Sequence, residues 1–314
     1  MISVKNPQAH SKSALFLTTV YSDMDTTLAK LVQAEVWAAT PRCCPSTTSS
    51  IMSMTAQDYA RAVMDMMDES KTVAKIVALR MLGYEVQATG EGATVETLLP
   101  GNTVQGILKV GDTITAVEGQ QVQMANDLVN FVRRQKPGNS ITLTVKRGDA
   151  SFDAKVTTKE LDTEHGIAVV GIMIKTYNFG HNLPVQIDID SQNIGGPSPG
   201  LMFTLGIIDA MKPDALAAGH KVAGTGTISL DGKVGPIGGV EQKVIGAERA
   251  GAEYFLAPKD NFQAAKGAAN RIQVVQVDTV DDAIAFLQTL KPAASTARPI
   301  VFPLSQMVRL APAV

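Results

Sequence analysis

Two Gly-rich segments hold side chains whose types and spacing could do chemistry together. Gly196-Pro197-Ser198-Pro199-Gly200 is a tight loop running into the apolar positions Leu201, Met202, Leu205 and Ile208. Gly238-Gly239-Val240-Glu241-Gln242-Lys243 sets a lysine one turn into a helix, with Val240, Val244 and Ile245 around it. A serine hydroxyl becomes a good nucleophile when a base takes its proton, and a lysine kept neutral by burial is such a base. Lowering a lysine from about 10.4 to about 7–8 costs roughly 4 kcal/mol, which apolar surroundings can supply. A serine where a helix begins faces N–H groups that could hold an oxyanion. Gly195 and Gly196 let a substrate backbone approach closely. Nucleophile, base and oxyanion donors are the parts a serine hydrolase needs.

Other chemistries are less well supplied. His10, His165, His181 and His220 fall in termini or loops, and none adjoins a carboxylate in a recognisable pattern, so they read as solvated or structural. There is no His-Glu-x-x-His and no Cys-x-x-Cys, so neither a metal nor a cofactor is expected. Cys43 and Cys44 are adjacent in a Pro-flanked loop and poorly placed to bridge each other, which leaves the redox compartment open. Asp188 and Asp190 alternate on one strand and read as solvent-facing. The Gly-Pro-Ser-Pro-Gly loop alone would read as a structural turn; the lysine motif tilts it toward catalysis.

These residues need a scaffold, and the chain has material for one. Its 314 residues are 45% hydrophobic and 18% charged, enough for two domains with full cores. A net charge of −2 gives no electrostatic reason to expect nucleic acid or an acidic membrane as partner. No apolar run approaches the roughly 18 residues needed to span a bilayer, so the chain reads as soluble. A strand is predicted at 14–20, a short helix at 26–37, a loop at 40–53, and a long helix from Thr55 to about Leu82, stopped by Gly83. From 84 to 158 the texture is short strands and turns, with a helix at 125–134. Strands at 167–175 and 185–190 follow. The serine loop and its helix come next, then a hairpin at Asp231-Gly232, the lysine helix at 241–250, and strand–helix alternation to about 290. The Pro- and Ala-rich tail beyond Lys291 is expected to be loosely ordered.

Gly90-Glu91-Gly92-Ala93, Gly111-Asp112-Thr113-Ile114, the Glu118-Gly119 turn and Val145-Lys146-Arg147-Gly148 together resemble a PDZ domain over about residues 84–158. Such domains add an extended peptide to a sheet edge and hold its terminal carboxylate in a loop. The resemblance implies that Gly90, Glu91, Gly92 and Ala93 hold that carboxylate, with Leu128 and Phe131 as groove walls.

Most of residues 184–290 resemble the proteolytic domain of the Lon family of Ser–Lys proteases. The resemblance is carried by both Gly-rich segments, Thr225-Gly226-Thr227-Ile228-Ser229-Leu230, Gly232, Gly235-Pro236-Ile237 and Arg249-Ala250-Gly251. It implies Ser198 as nucleophile, Lys243 as base, Thr225 as support for the lysine, and backbone N–H groups around Gly196, Pro197 and Ser198 as oxyanion support. Met67-Asp68-Glu69-Ser70 resembles a helix near the start of that domain. The implied fold is α+β. Residues 1–83 and 159–292 form a Lon-type proteolytic domain, 84–158 are an inserted PDZ domain, and 293–314 are a flexible tail. The implied function is ATP-independent endopeptidase action on unfolded or tagged polypeptides, since no Gly-x-x-x-x-Gly-Lys-Ser/Thr occurs. A homo-oligomeric ring, a hexamer, is implied too. So is an extracytoplasmic setting, with membrane attachment only through an N-terminal anchor absent from this sequence. One departure stands out: the family has alanine where Pro199 lies, and proline supplies no N–H. The rival reading is therefore an inactive adaptor that binds peptide C-termini; a small-substrate amidase or esterase is another.

Overall fold

The computed structural model describes residues 2–4, 14–18, 56–99, 101–161, 164–192, 194–212 and 214–293. The helix predicted at 26–37, the loop with Cys43 and Cys44, and the tail past 293 lie outside the described residues.

The chain enters with β1 (Ile2–Val4) and β2 (Ala14–Leu17), then α1 (Ala56–Met81). Met67, Val73, Ala74, Ile76, Val77 and Leu79 recur at helical spacing and are buried, which fixes the inner face of α1. The helix stops at Gly83, where the Tyr84 N–H reaches back to the Leu79 carbonyl at 3.0 Å.

The middle module follows: β3 (Ala88–Thr89), β4 (Ala93–Leu98), β5 (Thr113–Val117), β6 (Gln120–Gln121), α2 (Ala125–Arg133), β7 (Ser140–Arg147) and β8 (Ala150–Thr157). Alternate residues Ile141, Leu143 and Val145 of β7 face Leu128 and Val132 of α2 in one apolar cluster. Asp112 is buried beneath the sheet and gripped by Arg147 through two bonds of 2.6 and 2.7 Å. The guanidinium in turn sits 4.9 Å from the Phe152 ring centre.

Next come β9 (Lys159–Leu161), β10 (Glu164–Val169) and β11 (Ile172–Thr176). The single strand predicted over 167–175 is thus two strands, broken at Gly171. That residue has φ +75°, and a Cβ there would come within 2.8 Å of the Asn102 backbone. β11 pairs antiparallel with β4, so the middle sheet runs β11-β4-β5-β7-β8 and does not end at residue 158.

The remaining elements are β12 (Gly180–His181), β13 (Ile187–Ile189), α3 (Gly200–Met211), β14 (Lys221–Gly224), β15 (Thr227–Ile228), β16 (Val234–Gly235), α4 (Val240–Arg249), β17 (Tyr254–Pro258), α5 (Phe262–Ala268), β18 (Gln273–Val277) and α6 (Val280–Thr289). A parallel sheet of order β18-β17-β14-β2 carries the main body, with β2 from the chain's start beside β14. Leu17 of β2, Met67 to Leu79 of α1 and Leu201 to Ile208 of α3 share one core. Chain on both sides of the middle module therefore builds one body: the fold is α+β, with the module inserted. Among the described residues no helix is long and apolar enough to cross a membrane.

Candidate active site

The serine loop is held from beneath by α1. The Gly196 N–H donates to the Val63 carbonyl at 2.8 Å, and the Ser70 hydroxyl donates to the Pro197 carbonyl at 3.1 Å. Gly200 packs so closely on Ile228 that a Cβ would stand 2.7 Å from its side chain, which explains the glycine there. Pro199 caps α3 and its carbonyl accepts the Phe203 N–H at 2.9 Å, so proline is used as a helix starter.

From the other side the loop is held by residues 225 and 226. The Ser198 carbonyl accepts the Gly226 N–H at 2.8 Å and the Thr225 hydroxyl at 3.2 Å. That hydroxyl also takes a hydrogen bond from the Lys243 Nζ at 3.2 Å. One buried hydroxyl therefore links the lysine to the backbone of the serine. Lys243 itself is 5% exposed, on the buried face of α4 with Val240 and Val244. Ser198, Thr225 and Lys243, far apart in the chain, are brought to one place.

Of the backbone expected to support an oxyanion, part is engaged elsewhere. The Gly196 N–H is spent on Val63 and Pro197 has none, so both residues shape the loop and donate nothing toward a substrate. The Ser198 amide has no hydrogen-bond partner among the described residues, which leaves it as the donor of that stretch.

The Gly90–Ala93 loop is also different. Its Glu91 N–H goes to the Tyr177 carbonyl at 3.0 Å and its Gly92 N–H to the Gln123 carbonyl at 3.2 Å. Ala93 pairs with Thr176 and Ile114, and the Glu91 carboxylate accepts from Asn178 at 2.9 Å. The Glu91 and Gly92 amides are thus engaged within the fold and do not point donors at a peptide carboxylate. Leu128 is buried in the module core and Phe131 packs against it. The outermost strand on that side of the sheet is β11.

Some contacts were invisible in sequence. His220 pairs with the Glu253 carboxylate at 2.7 Å and its other nitrogen meets the Lys291 carbonyl at 2.9 Å. The bond to Glu253 raises the imidazole pKa. Asp190 accepts the Gln192 N–H at 2.9 Å, a local turn bond. More telling is α2, which rests on the site's own segments. Its Asn130 accepts the Thr227 hydroxyl at 3.0 Å, and its Arg133 donates to the Pro236 carbonyl at 2.7 Å. No sequence signal marks those two residues.

Residues 174–289 match the family of the Lon protease (S16) C-terminal proteolytic domain, and residues 81–158 match the PDZ domain family. The chain carries a Lon-type proteolytic domain and a PDZ domain. Ser198, Thr225 and Lys243 all fall within the Lon-type match, while β11 straddles its start. Lon protease 2 of Bacillus subtilis is 33% identical over 118 residues, covering 38% of this chain and 20% of that protein. The Lon protease of Azospirillum brasilense is 27% identical over 167 residues, or 52% of this chain and 20% of that one. The Lon protease of Roseiflexus castenholzii is 33% identical over 155 residues, or 47% and 19%. The chain spans about a fifth of the length of these relatives. The crystal structure of the PDZ domain of the SdrC-like protein from Listeria monocytogenes is 21% identical. It covers 27% of this chain and 87% of that chain, with a TM-score of 0.25.

Proposed function

We propose that the chain is an endopeptidase that works without ATP through a Ser198–Lys243 dyad. The observation that carries this reading is the Thr225 hydroxyl, bonded on one side to the buried Lys243 amine and on the other to the Ser198 carbonyl. A neutral Lys243 donates one N–H to Thr225 and keeps its lone pair for the Ser198 proton. Ser198 Oγ then attacks the scissile carbonyl, and the Ser198 N–H holds the oxyanion that forms. Lys243 returns the proton to the leaving amine, and water, deprotonated by the same lysine, releases the acyl group. The PDZ domain selects or gates unfolded polypeptide. With the Glu91 and Gly92 amides engaged, an extended segment would add to the edge strand β11.

Assembly into a homo-oligomeric ring, a hexamer, belongs to the same proposal, as does an extracytoplasmic site of action. Hydrolysis of a fluorogenic peptide with no nucleotide present, lost in Ser198→Ala, would support the reading. A wild-type protein that cleaves no peptide would contradict it.

A second reading, an inactive adaptor for peptide C-termini, draws on the thin supply of oxyanion donors. Pro197 and Pro199 carry no N–H and that of Gly196 is spent. Pro199→Ala separates the two. If the added N–H joins the oxyanion, kcat should rise roughly ten- to hundred-fold at unchanged KM. A variant as inert as an inert parent would favour the adaptor.

A further inference from the structure

Glu69 has no part in the proposed chemistry, yet its side chain is partly buried. Its two oxygens take the Thr176 N–H, at 3.3 Å, and the Thr176 hydroxyl. Thr176 closes β11, and its hydroxyl also accepts the N–H of Ala125, the first residue of α2, at 2.9 Å. The residue after Glu69 is Ser70, whose hydroxyl holds the Pro197 carbonyl. Two turns earlier on the same helix, the Val63 carbonyl holds the Gly196 N–H. One rigid helix thus grips the edge of the PDZ sheet with one residue and the serine loop with its neighbours.

Two observations argue that this is more than packing. Burial pushes the Glu69 carboxyl up, against the two Thr176 bonds that favour the ionised form, while the charges of Asp127 and Glu96 push it further up. Even a partly buried carboxylate is a costly way to fill space unless its donors are held in place. The Thr176 N–H also faces away from β4, because it is the next amide, Tyr177, that turns toward the Gly92 carbonyl at 2.8 Å. Glu69 therefore occupies the hydrogen-bonding position that a strand added outside β11 would take at that end.

We propose that Glu69 is a positioning residue that couples the edge strand of the PDZ domain, through Thr176 and Ser70, to the loop carrying Ser198. Glu69 and Ser70 are adjacent on α1, so a shift of the helix that follows Thr176 moves both. Only the activity arm of the test below rests on the peptidase reading.

The test uses the full chain with Thr176→Val, which removes the hydroxyl and keeps the shape, beside Thr176→Ser, which restores it. Amide hydrogen exchange over residues 194–201 should rise roughly ten-fold in the valine variant, the scale of one hydrogen bond to a charged group, and stay at the wild-type rate in the serine variant. The kcat for a short fluorogenic peptide should fall by a similar factor while KM holds. An unchanged exchange rate in that loop would overturn the coupling, whether or not the protein cleaves peptides. So would a rise spread evenly along the chain in both variants, the mark of general destabilisation. A wild type that cleaves nothing but shows the predicted exchange pattern would sink the peptidase reading and leave the coupling standing.

Discussion

Thr225 is the side chain on which the proposed dyad turns, because it is bonded both to the Lys243 amine and to the Ser198 carbonyl. Thr225→Val should lower kcat roughly ten- to hundred-fold, the range for losing a hydrogen bond to a charged or charge-developing group. Thr225→Ser should recover most of that loss in the same steady-state assay. A valine variant with wild-type kcat would remove Thr225 from the account. The two motif residues were readable because each sits in its own short Gly-rich run, where local chain geometry sets the side chain's direction. Backbone amides were not readable in the same way. The Gly196 N–H is claimed by Val63 and the Glu91 N–H by Tyr177, both distant in sequence, and no local pattern announces either partner. The His220–Glu253 pair was hidden for the same reason, its members being 33 residues apart.

Among the elements, those set by periodicity were legible. The buried stripe of α1 and the alternation in β7 each follow from apolar spacing, and both form where the pattern puts them. The allegiance of β11 was not legible, since an apolar strand does not say which sheet it joins. Its neighbour β4 leads into the Asp112–Arg147 pair, which fixes the far side of the same sheet. Burial pushes the Asp112 carboxyl up, but the Arg147 hydrogen bonds and the Lys109 N–H outweigh it and hold the pKa below its usual 3.8. A carboxyl lowered in the folded state stabilises above its unfolded pKa, and that stability is lost as pH falls through the folded value. Asp112→Asn should therefore cost about 1–3 kcal/mol near neutral pH, Arg147 being partly exposed and screened. The gap to wild type should narrow below pH 3.8 in denaturant titrations. A gap independent of pH would mean that the ion pair is not its source.

At the scale of the whole molecule, the PDZ domain is wired into the body that surrounds it. α2 touches Thr227 and Pro236, β11 touches α1, and both ends of the body lie in chain outside the insertion. The insertion was legible only through a resemblance, that of Met67-Asp68-Glu69-Ser70 to a helix near the start of the Lon proteolytic domain. The contacts between the two parts were not, since they depend on how two finished surfaces meet. If the proposed ring forms, light scattering should give a mass several times that of the 33.2 kDa chain at micromolar concentration. A single-chain mass would end the ring proposal without touching the dyad. The dyad is tested most directly by incubating the protein with fluorescently labelled casein and no nucleotide, beside Ser198→Ala and Lys243→Ala. The account predicts cleavage by the wild type and none by either variant. Cleavage that survives in Lys243→Ala would contradict it.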